Sequence, residues 1–561
     1  MQAFTARLAG VLLALSAHWA AADPVVGGST VIGPFAGPGA ALHSGNTSPY
    51  TIDFAGTDLG WTYVHDGDLK FLFGDTHATE AGAPVDPDYH PAGGQTAYTF
   101  DDAFGTVDLG SWNDPTVFSP TTIPTILLGQ HAMSSDAKAV NPGHWMDAFK
   151  TPSGGWSNGS REFAIFYTSK PQGCLTDSHC DDHLSDLTCD QGLAFWNEEY
   201  YDQKSFTGVC VDGTFGCLND TMVNIFGWPI AGTGFCTDET STIHDIDDAG
   251  RILSTGVKLR VGIRNTTDER QYDNTKEWLT NKFMNVAVTT VQDFVPASGS
   301  GSANQNYNGA ASSGDTERVF LWGRPGYVGV NANNRNLGLY FAYVDMPTGS
   351  SFSWVVNYYT GTSGGIPQFS SDESDAAALD LDSGTGGIQV TEVHDIVALQ
   401  NVVWIDHLDK WVMLYGGRLS TNPLAFGAFS TCGVLEFFVG ADDCQDVDQE
   451  GGAIYMRTAD DPWGPWSPPQ DFFSPGDPGA SPPTGEYASG GILYHPDCSG
   501  SCVASYDYPG YDPDVEYGLL YAPNIIVPWI DAVGDDVDVI WNLSTWNPYG
   551  VVLMRTRIEA N

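Results

Sequence analysis

The sequence is poor in positive charge. Its 561 residues include only 22 Lys and Arg against 69 Asp and Glu, which gives a formal net charge of -47. Such a surface repels polyanions, so we expect neither nucleic acid nor an anionic membrane as a partner. The acids are scattered rather than collected in runs, which favours solubility outside the cell as their role.

Long apolar runs and several common catalytic motifs are also missing. No stretch approaches the roughly 18 uninterrupted apolar residues that a membrane-spanning helix needs. The sequence has no P-loop and no His-Glu-x-x-His, so nucleotide-binding and zincin functions lack support. The short apolar run Leu8 to Ala17 follows Arg7 and precedes Ala20-Ala21-Ala22, which predicts a signal peptide over residues 1–22 and secretion of residues 23–561 to the extracellular space.

Cysteine, in contrast, is present in quantity. Ten cysteines in an exported chain predict five disulfides. Six of them define a disulfide-rich insertion over residues 170–240: Cys174, Cys180, Cys189, Cys210, Cys217 and Cys236. Two local pairs remain, Cys432 with Cys444 and Cys498 with Cys502, and a zinc site at Cys498, Cys502 and His495 is the alternative for the second. Five Asn-x-Ser/Thr sequons fit a glycosylated surface.

The chain is rich in the residues of turns and strands. It has 65 Gly, 33 Pro and 12% aromatic residues, and short apolar runs bounded by turn residues recur along its length. The clearest predicted strands are Leu69–Phe73, Glu162–Tyr167, Arg318–Trp322, Leu337–Val344, Asn401–Ile405, Trp411–Leu414, Ala453–Met456, Val537–Trp541 and Gly550–Met554. Several end in an aromatic residue followed by Gly, an irregular repetition typical of propeller blades. We therefore predict an all-β fold, a single five-bladed β-propeller domain that is monomeric.

One hairpin carries the proposed chemistry. Asp66-Gly67 between two strand-like runs predicts a two-residue turn, because type I′ turns need positive φ at both central positions. In an unbroken register, opposed residues have numbers summing to 133, which pairs Asp58 with Asp75. Their Cβ atoms would then lie about 4.5–5.5 Å apart. Caps of the strand ends, or ligands of a cation, are the alternative roles for these aspartates.

A carboxylate pair at such a distance suits general acid/base or acid/nucleophile chemistry. Mutual repulsion raises one pKa, so that one carboxyl group keeps its proton while the other stays ionised. Glycoside hydrolysis uses such a pair, with a separation of about 5–5.5 Å on the retaining route and about 6.5–9.5 Å on the inverting one. The sequence predicts Asp58 and Asp75 as the catalytic residues, without deciding which is the acid.

Other side chains are predicted to line the same mouth, since aromatic faces stack on sugar rings and amides bind hydroxyls. The candidate substrate-binding residues are Asn113, Asp114, Glu392, His394, Trp546, Asn547 and Tyr549. As core residues or solvated loop residues they would need no ligand. No cofactor is expected, and the acidic turn at Gly440–Asp443 leaves a structural calcium ion open, although it lacks EF-hand spacing.

Several motifs together resemble a known family of five-bladed propellers, long carried as a domain of unknown function, that includes endo-acting D-arabinanases. The resemblance spans about residues 50 to 557 and rests on Gly56–Gly60, Phe73–Thr76, Val319–Gly323, Lys410–Tyr415, Pro462–Ser467, Leu543–Tyr549 and Val552–Arg555. It implies a polar site at one mouth of a central channel, with Asp58 and Asp75 as the catalytic carboxylates. The insertion at 170–240 and the segment Thr391–Asp395 depart from the family's pattern, so the sugar stays open.

These observations lead to one hypothesis and two rivals. The hypothesis is a secreted glycoside hydrolase that cleaves a furanose-containing, arabinan-like or related glycan, with a polysaccharide or oligosaccharide as its partner. A non-catalytic glycan-binding propeller is the first rival, because propellers also serve as lectins. A structural cell-surface module is the second.

Overall fold

The computed structural model describes residues 23–36, 54–78, 85–86, 97–98, 100–110, 125–128, 150–171, 173–174, 187–190, 208–212, 237–246, 252–260, 283, 285–291, 318–324, 339–345, 355–381, 398–417, 453–476, 480–494, 519–546 and 549–560. Over these residues the chain is built from strands, with short 3₁₀ turns at Glu373–Asp375, Asp406–Leu408 and Gly485–Tyr487 and no α-helix. The prediction of an all-β fold is confirmed for them. None of them forms a helix that could cross a membrane.

The described residues form 26 strands. In chain order they are β1 (Val25–Ala36), β2 (Phe54–His65), β3 (Asp68–Ala78), β4 (Val85–Asp86), β5 (Ala97–Tyr98), β6 (Phe100–Asp108), β7 (Thr125–Leu128), β8 (Lys150–Ser157), β9 (Glu162–Pro171), β10 (Gly173–Cys174), β11 (Leu187–Asp190), β12 (Gly208–Asp212), β13 (Thr237–Ile246), β14 (Ile252–Arg260), β15 (Asn285–Val291), β16 (Arg318–Arg324), β17 (Tyr340–Asp345), β18 (Val356–Ser363), β19 (Ile366–Ser370), β20 (Ala398–Ile405), β21 (Lys410–Gly417), β22 (Ala453–Ala459), β23 (Gln470–Phe473), β24 (Leu519–Val533), β25 (Asp536–Trp546) and β26 (Gly550–Glu559).

Most strands belong to five antiparallel sheets, which we number in chain order. The first sheet is β2-β3-β6-β7, the second β8-β9-β13-β14, the third β15 to β19, the fourth β20 to β23, and the fifth β24-β25-β26-β1. In the fifth sheet the N-terminal strand β1 pairs with the C-terminal strand β26, from Val25 opposite Glu559 onwards. Two smaller sheets, β4-β5 and β10-β12-β11, lie outside this series.

The leading strands of the five sheets contact one another in sequence. β2 contacts β8, β8 contacts β15, β15 contacts β20, β20 contacts β24, and β24 contacts β2. The contacts between the leading strands thus run through all five sheets and return to the first.

Apolar side chains fill the space between neighbouring sheets. Between the third and fourth sheets, Trp322 and Trp411 pack with ring centroids 5.3 Å apart. Comparable clusters join Phe163 to Val319 between the second and third sheets, and Phe73 to Leu553 between the first and fifth. Large aromatic side chains contribute much of the apolar surface buried in these layers, and this burial is the main force holding the sheets together.

The segment predicted to be a disulfide-rich insertion contains the small sheet β10-β12-β11. Its backbone register sets Cys189 opposite Cys210. The side chains of this sheet lie outside the described residues, so the disulfides remain predictions.

Candidate active site

The hairpin of β2 and β3 forms around the predicted turn. Asp66 and Gly67 both have positive φ, 50° and 85°. From His65 opposite Asp68 to Trp61 opposite Leu72, the partners' numbers sum to 133 as predicted. The turn and this part of the register are confirmed.

Beyond Trp61 the register shifts by one residue. Leu59 pairs with Phe73, and Asp58 pairs with Gly74. The prediction that Asp58 lies directly opposite Asp75 is therefore wrong. The cause is a bulge in β2, where Leu59 and Gly60 have φ of 64° and 75°. A bulge places an extra residue in one strand of a pair and so offsets every partner beyond it.

Groups from the fifth sheet hold this bulge in place. The amide of Asn542 donates to the carbonyl oxygens of Leu59 at 3.0 Å and Gly60 at 3.2 Å. The backbone N–H of Leu59 donates to the hydroxyl of Ser544 at 2.7 Å. A Cβ at Gly60 would lie 2.8 Å from the Asn542 amide nitrogen, so both the positive φ and the close approach require glycine there.

A chain of buried amides extends the support across three sheets. Asn401 of β20 donates to Asn524 of β24 at 3.1 Å, and Asn524 donates to Asn542 at 3.0 Å. The oxygen of Asn401 accepts from the backbone N–H of Ile525 at 3.1 Å. Fully bonded buried networks of this kind are rigid, because an amide that turned away would leave a buried partner unsatisfied. The backbone beside Asp58 is therefore fixed by groups remote in sequence.

Positive φ at a residue other than glycine also occurs in two other leading strands. Leu399 in β20 and Ala522 in β24 also have positive φ, 49° and 48°. Each lies at a register shift, as Leu59 does. Residues other than glycine rarely adopt this conformation, which costs roughly 1–3 kcal/mol per residue and persists only where the surrounding structure imposes it. The three strained residues, Leu59, Leu399 and Ala522, belong to one buried cluster with Tyr521, which donates to Asp58.

Asp58 is buried almost completely, with 3% of its surface exposed. Its Oδ2 atom accepts a hydrogen bond from the hydroxyl of Tyr521 at 2.8 Å. Its Oδ1 atom is buried and accepts no well-formed hydrogen bond from the described residues. A Cβ at Gly74 would lie 2.7 Å from Oδ1, so the absence of a side chain at Gly74 makes room for this oxygen.

The surroundings of Asp58 favour the protonated carboxyl group. Burial raises the pKa of Asp58 from 3.8 to about 6, while the hydroxyls of Tyr521 and Tyr549 partly oppose the rise. Desolvation penalises the charged form, whereas a hydrogen bond to the carboxylate favours it. Asp58 can therefore hold a proton in mildly acidic solution and release it near neutrality.

The remaining predicted site residues are placed less fully. The backbones of Asp75 and Trp546 lie in β3 and at the end of β25, but their side chains lie outside the described residues. Tyr549 is fully buried and lies near the carboxyl group of Asp58. Six further predictions fall outside the described residues: Asn113, Asp114, Glu392, His394, Asn547 and the turn at Gly440–Asp443.

Sequence reasoning missed Tyr521 and Gly74. Tyr521 lies in the apolar run Leu519–Ala522, where a tyrosine is indistinguishable from an ordinary core residue. Gly74 follows an aromatic strand end, a pattern shared with Gly323 and Gly416. In both cases the role depends on Asp58 approaching from another strand, which no local pattern records.

A second buried tyrosine–carboxylate pair lies toward the other end of β2. The hydroxyl of Tyr63 donates to Oε2 of Glu162 at 2.8 Å. Nε2 of His65 lies 3.7 Å from Oε1 of the same carboxylate, and Nδ1 of His65 is 2.7 Å from the hydroxyl of Ser157. Burial, followed by the charge of Glu162 and its hydrogen bond, raises the pKa of Tyr63. Both oxygens of Glu162 thus face polar groups, and the pair ties the first sheet to the second.

Metal ligands do not gather anywhere in the described part of the chain. No three His, Cys, Asp or Glu side chains converge there in an arrangement that could hold an ion.

Comparison with known proteins gives structural matches only. No family model matches the chain, and no curated protein matches it in sequence. The catalytic domain of the GH62 α-L-arabinofuranosidase of Coprinopsis cinerea aligns with 94% of this chain and 97% of its own, at 8% identity and a TM-score of 0.31. A thermostable family-43 glycoside hydrolase aligns over 89% of both chains at 9% identity and a TM-score of 0.27. A Trypanosoma rangeli sialidase in complex with sialic acid aligns with 95% of this chain and 59% of its own, at 8% identity and a TM-score of 0.29. At these scores the matches carry no argument about activity.

Proposed function

We propose that this protein is a glycoside hydrolase in which Asp58 is the proton donor and Asp75 the second carboxylate. The observation that carries the proposal is the buried carboxyl group of Asp58, whose pKa burial raises to about 6 and whose Oδ1 atom accepts no well-formed hydrogen bond from the described residues. A general acid needs a pKa near the working pH, because it must be protonated and still release its proton readily. Burial of a carboxyl group is the usual means of reaching that value.

The place of Asp58 in the fold supports the same role. We infer that the five sheets are the blades of a five-bladed β-propeller, because their leading strands contact one another in sequence and the last of them contacts the first. Asp58 lies in the leading strand of the first blade and Tyr521 in that of the fifth. Small-molecule sites often lie at the mouth of a closed β structure.

Asp75 is proposed as the partner although it is not directly opposite Asp58. β3 contains one residue more than β2 between Gly74 and His77, and one more than β6 between Phe73 and Thr76. Such a bulge interrupts the regular alternation of side chains along a strand. We therefore keep Asp75 as the proposed partner although its backbone is offset by one residue from the position opposite Asp58. In the reaction, the carboxylate of Asp75 would attack the anomeric carbon or activate a water molecule, depending on the separation of the two groups.

The substrate is proposed as a furanose-containing, arabinan-like or related neutral glycan. The resemblance of several motifs to those of the D-arabinanase propellers favours this class, and the net charge of -47 disfavours a polyanionic glycan. We further propose that the chain is exported after removal of residues 1–22, that residues 23–561 form one domain, and that it acts as a monomer.

The test is hydrolysis of a panel of arabinans, fructans and galactans, measured as new reducing ends. We expect product from the unaltered protein, and a loss of at least about 10³-fold with Asp58→Asn or Asp75→Asn, the range typical for a lost general acid or carboxylate partner. Glu162→Gln is the matched control, since it changes a buried, tyrosine-bonded carboxylate away from the site. Full activity in either aspartate variant contradicts the proposal, and glycan binding without any product would favour the lectin.

A further inference from the structure

We propose that Tyr521 is a positioning residue that confines the acid proton of Asp58 to Oδ1. The inference rests on the proposed function, because it concerns how the same carboxyl group delivers its proton. It adds a residue of β24 to a site that already includes Asp58 of β2 and Tyr549, which lies between β25 and β26.

The first step is the asymmetry of the two carboxyl oxygens. Oδ2 accepts the hydroxyl proton of Tyr521 at 2.8 Å, whereas Oδ1 has no well-formed hydrogen bond from the described residues. A proton on Oδ2 would compete with the tyrosine proton for the same space between the two oxygens. The proton of the neutral acid is therefore favoured on Oδ1.

The second step is that both partners are held in place. Tyr521 is 9% exposed, and Ala522, which follows it, has a φ of 48° at a register shift of β24. Asn524 and Asn542 bond to each other and to the carbonyl oxygen of Gly60, two residues after Asp58. The same amide hydrogen bonds therefore fix the backbone beside Tyr521 and the backbone beside Asp58.

The third step is the charge that develops during the reaction. The O–H bond at Oδ1 breaks as its proton passes to the glycosidic oxygen, and the C–O bond to the leaving sugar breaks with its electron pair on that oxygen. The negative charge left on the carboxylate is shared with Oδ2. A hydrogen bond to an ionised acceptor is roughly twice as strong as one to a neutral acceptor, so the Tyr521 hydroxyl stabilises the carboxylate as it forms.

The variant that tests this is Tyr521→Phe, which removes one oxygen and leaves the ring. Loss of the bond should raise the pKa of Asp58, so the basic limb of kcat/KM should move to higher pH by about one unit or more. Hydrolysis of the glycan found in the panel should fall about 10- to 100-fold. An aryl glycoside of the same sugar, whose leaving group needs little protonation, should lose less than about threefold.

Tyr63→Phe is the matched control. It removes a hydroxyl that also donates to a buried carboxylate at 2.8 Å, from the same strand as Asp58 but toward its other end. We expect its pH profile to equal that of the unaltered protein. Cooperative thermal unfolding of each variant shows that it is folded. In Tyr549→Phe the basic limb of kcat/KM should also move to higher pH, but by less than in Tyr521→Phe. The reason is that the Tyr549 hydroxyl opposes the rise in the Asp58 pKa less than the Tyr521 hydroxyl does.

Titration of Asp58 by carboxyl carbon NMR separates the two proposals, because it needs no substrate. The Asp58 signal is identified by its loss in Asp58→Asn. An unchanged titration in Tyr521→Phe, or an equal shift in Tyr63→Phe, overturns the positioning role even if Asp58 proves essential. Full activity of Asp58→Asn instead overturns the proposed function, whatever the titration shows.

Discussion

The two tyrosine–carboxylate bonds along β2 have the same length and different surroundings. Tyr521 donates to Asp58 and Tyr63 donates to Glu162, each at 2.8 Å and each between buried side chains. The second oxygen of Glu162 faces His65, whereas that of Asp58 lies above Gly74. The comparison teaches that one bond type serves two purposes. In Glu162 both oxygens face polar groups and the residue joins two sheets, whereas in Asp58 only Oδ2 accepts a well-formed hydrogen bond, which is why we propose the catalytic role for Asp58.

Replacement of each carboxylate by its amide should separate the two purposes most strongly. Asp58→Asn should lose at least about 10³-fold in hydrolysis, because the amide cannot donate a proton as an acid does. Glu162→Gln should keep its activity and lose about 1–3 kcal/mol of unfolding free energy, since it weakens a buried charge-assisted hydrogen bond. Initial rates and urea unfolding measure the two effects. The comparison fails if the two variants behave alike.

The raised pKa of Asp58 should make the free energy of unfolding depend on pH. Its pKa is about 6 in the folded protein and 3.8 in the unfolded chain. Between these values the folded state binds more protons, so its stability falls as pH rises from about 4 to 6, by about 3 kcal/mol in all. Asp58→Asn lacks this loss and should therefore unfold at a higher urea concentration than the unaltered protein at pH 7, but at nearly the same concentration at pH 4. A constant difference across this pH range would contradict the raised pKa.

A methyl group at Gly74 should displace the side chains of Asp58 and Leu59. The added Cβ would lie 2.7 Å from Oδ1 of Asp58 and 2.6 Å from a methyl carbon of Leu59. Displacement of a catalytic group by about 1 Å can cost about 10²-fold, so we expect a loss of that order in kcat for Gly74→Ala. Gly110→Ala is the control, because the atoms nearest to its Cβ would be those of the Asp108 side chain, from 3.1 Å, and not those of Asp58. An unchanged kcat in Gly74→Ala would contradict the idea that Gly74 makes room for the carboxyl group of Asp58.

The smallest effect is expected at the structural pair. Tyr63→Phe should lower the free energy of unfolding by about 1 kcal/mol, the usual net value of a buried hydrogen bond, and leave kcat unchanged. The loss should shrink when Glu162 is already Gln, because the two residues share one bond. A double-mutant cycle by urea unfolding measures this coupling. Additive effects would mean that the bond contributes nothing to the junction of the sheets.

The sequence predicted strands and turns well because these depend on local pattern. The predicted strand Arg318–Trp322 lies within β16, and the Asp66-Gly67 turn forms as expected. The register near Asp58 could not be predicted, since the bulge at Leu59 and Gly60 is stabilised by Asn542, nearly five hundred positions further along the chain. The role of Asp58 stays a prediction, and neither its burial nor its bond to Tyr521 could be predicted from local pattern.

The distance in sequence between Asp58 and Tyr521 has a consequence for the synthesis and folding of the chain. The two residues are separated by 463 positions, and Tyr549 follows later still. During synthesis the aspartate emerges early, in a chain where it is still hydrated and therefore ionised at neutral pH. It acquires its burial and its tyrosines only when the fifth sheet, completed by β1 and β26, packs against the first. The raised pKa of Asp58 should therefore arise only once the fifth sheet has packed against the first.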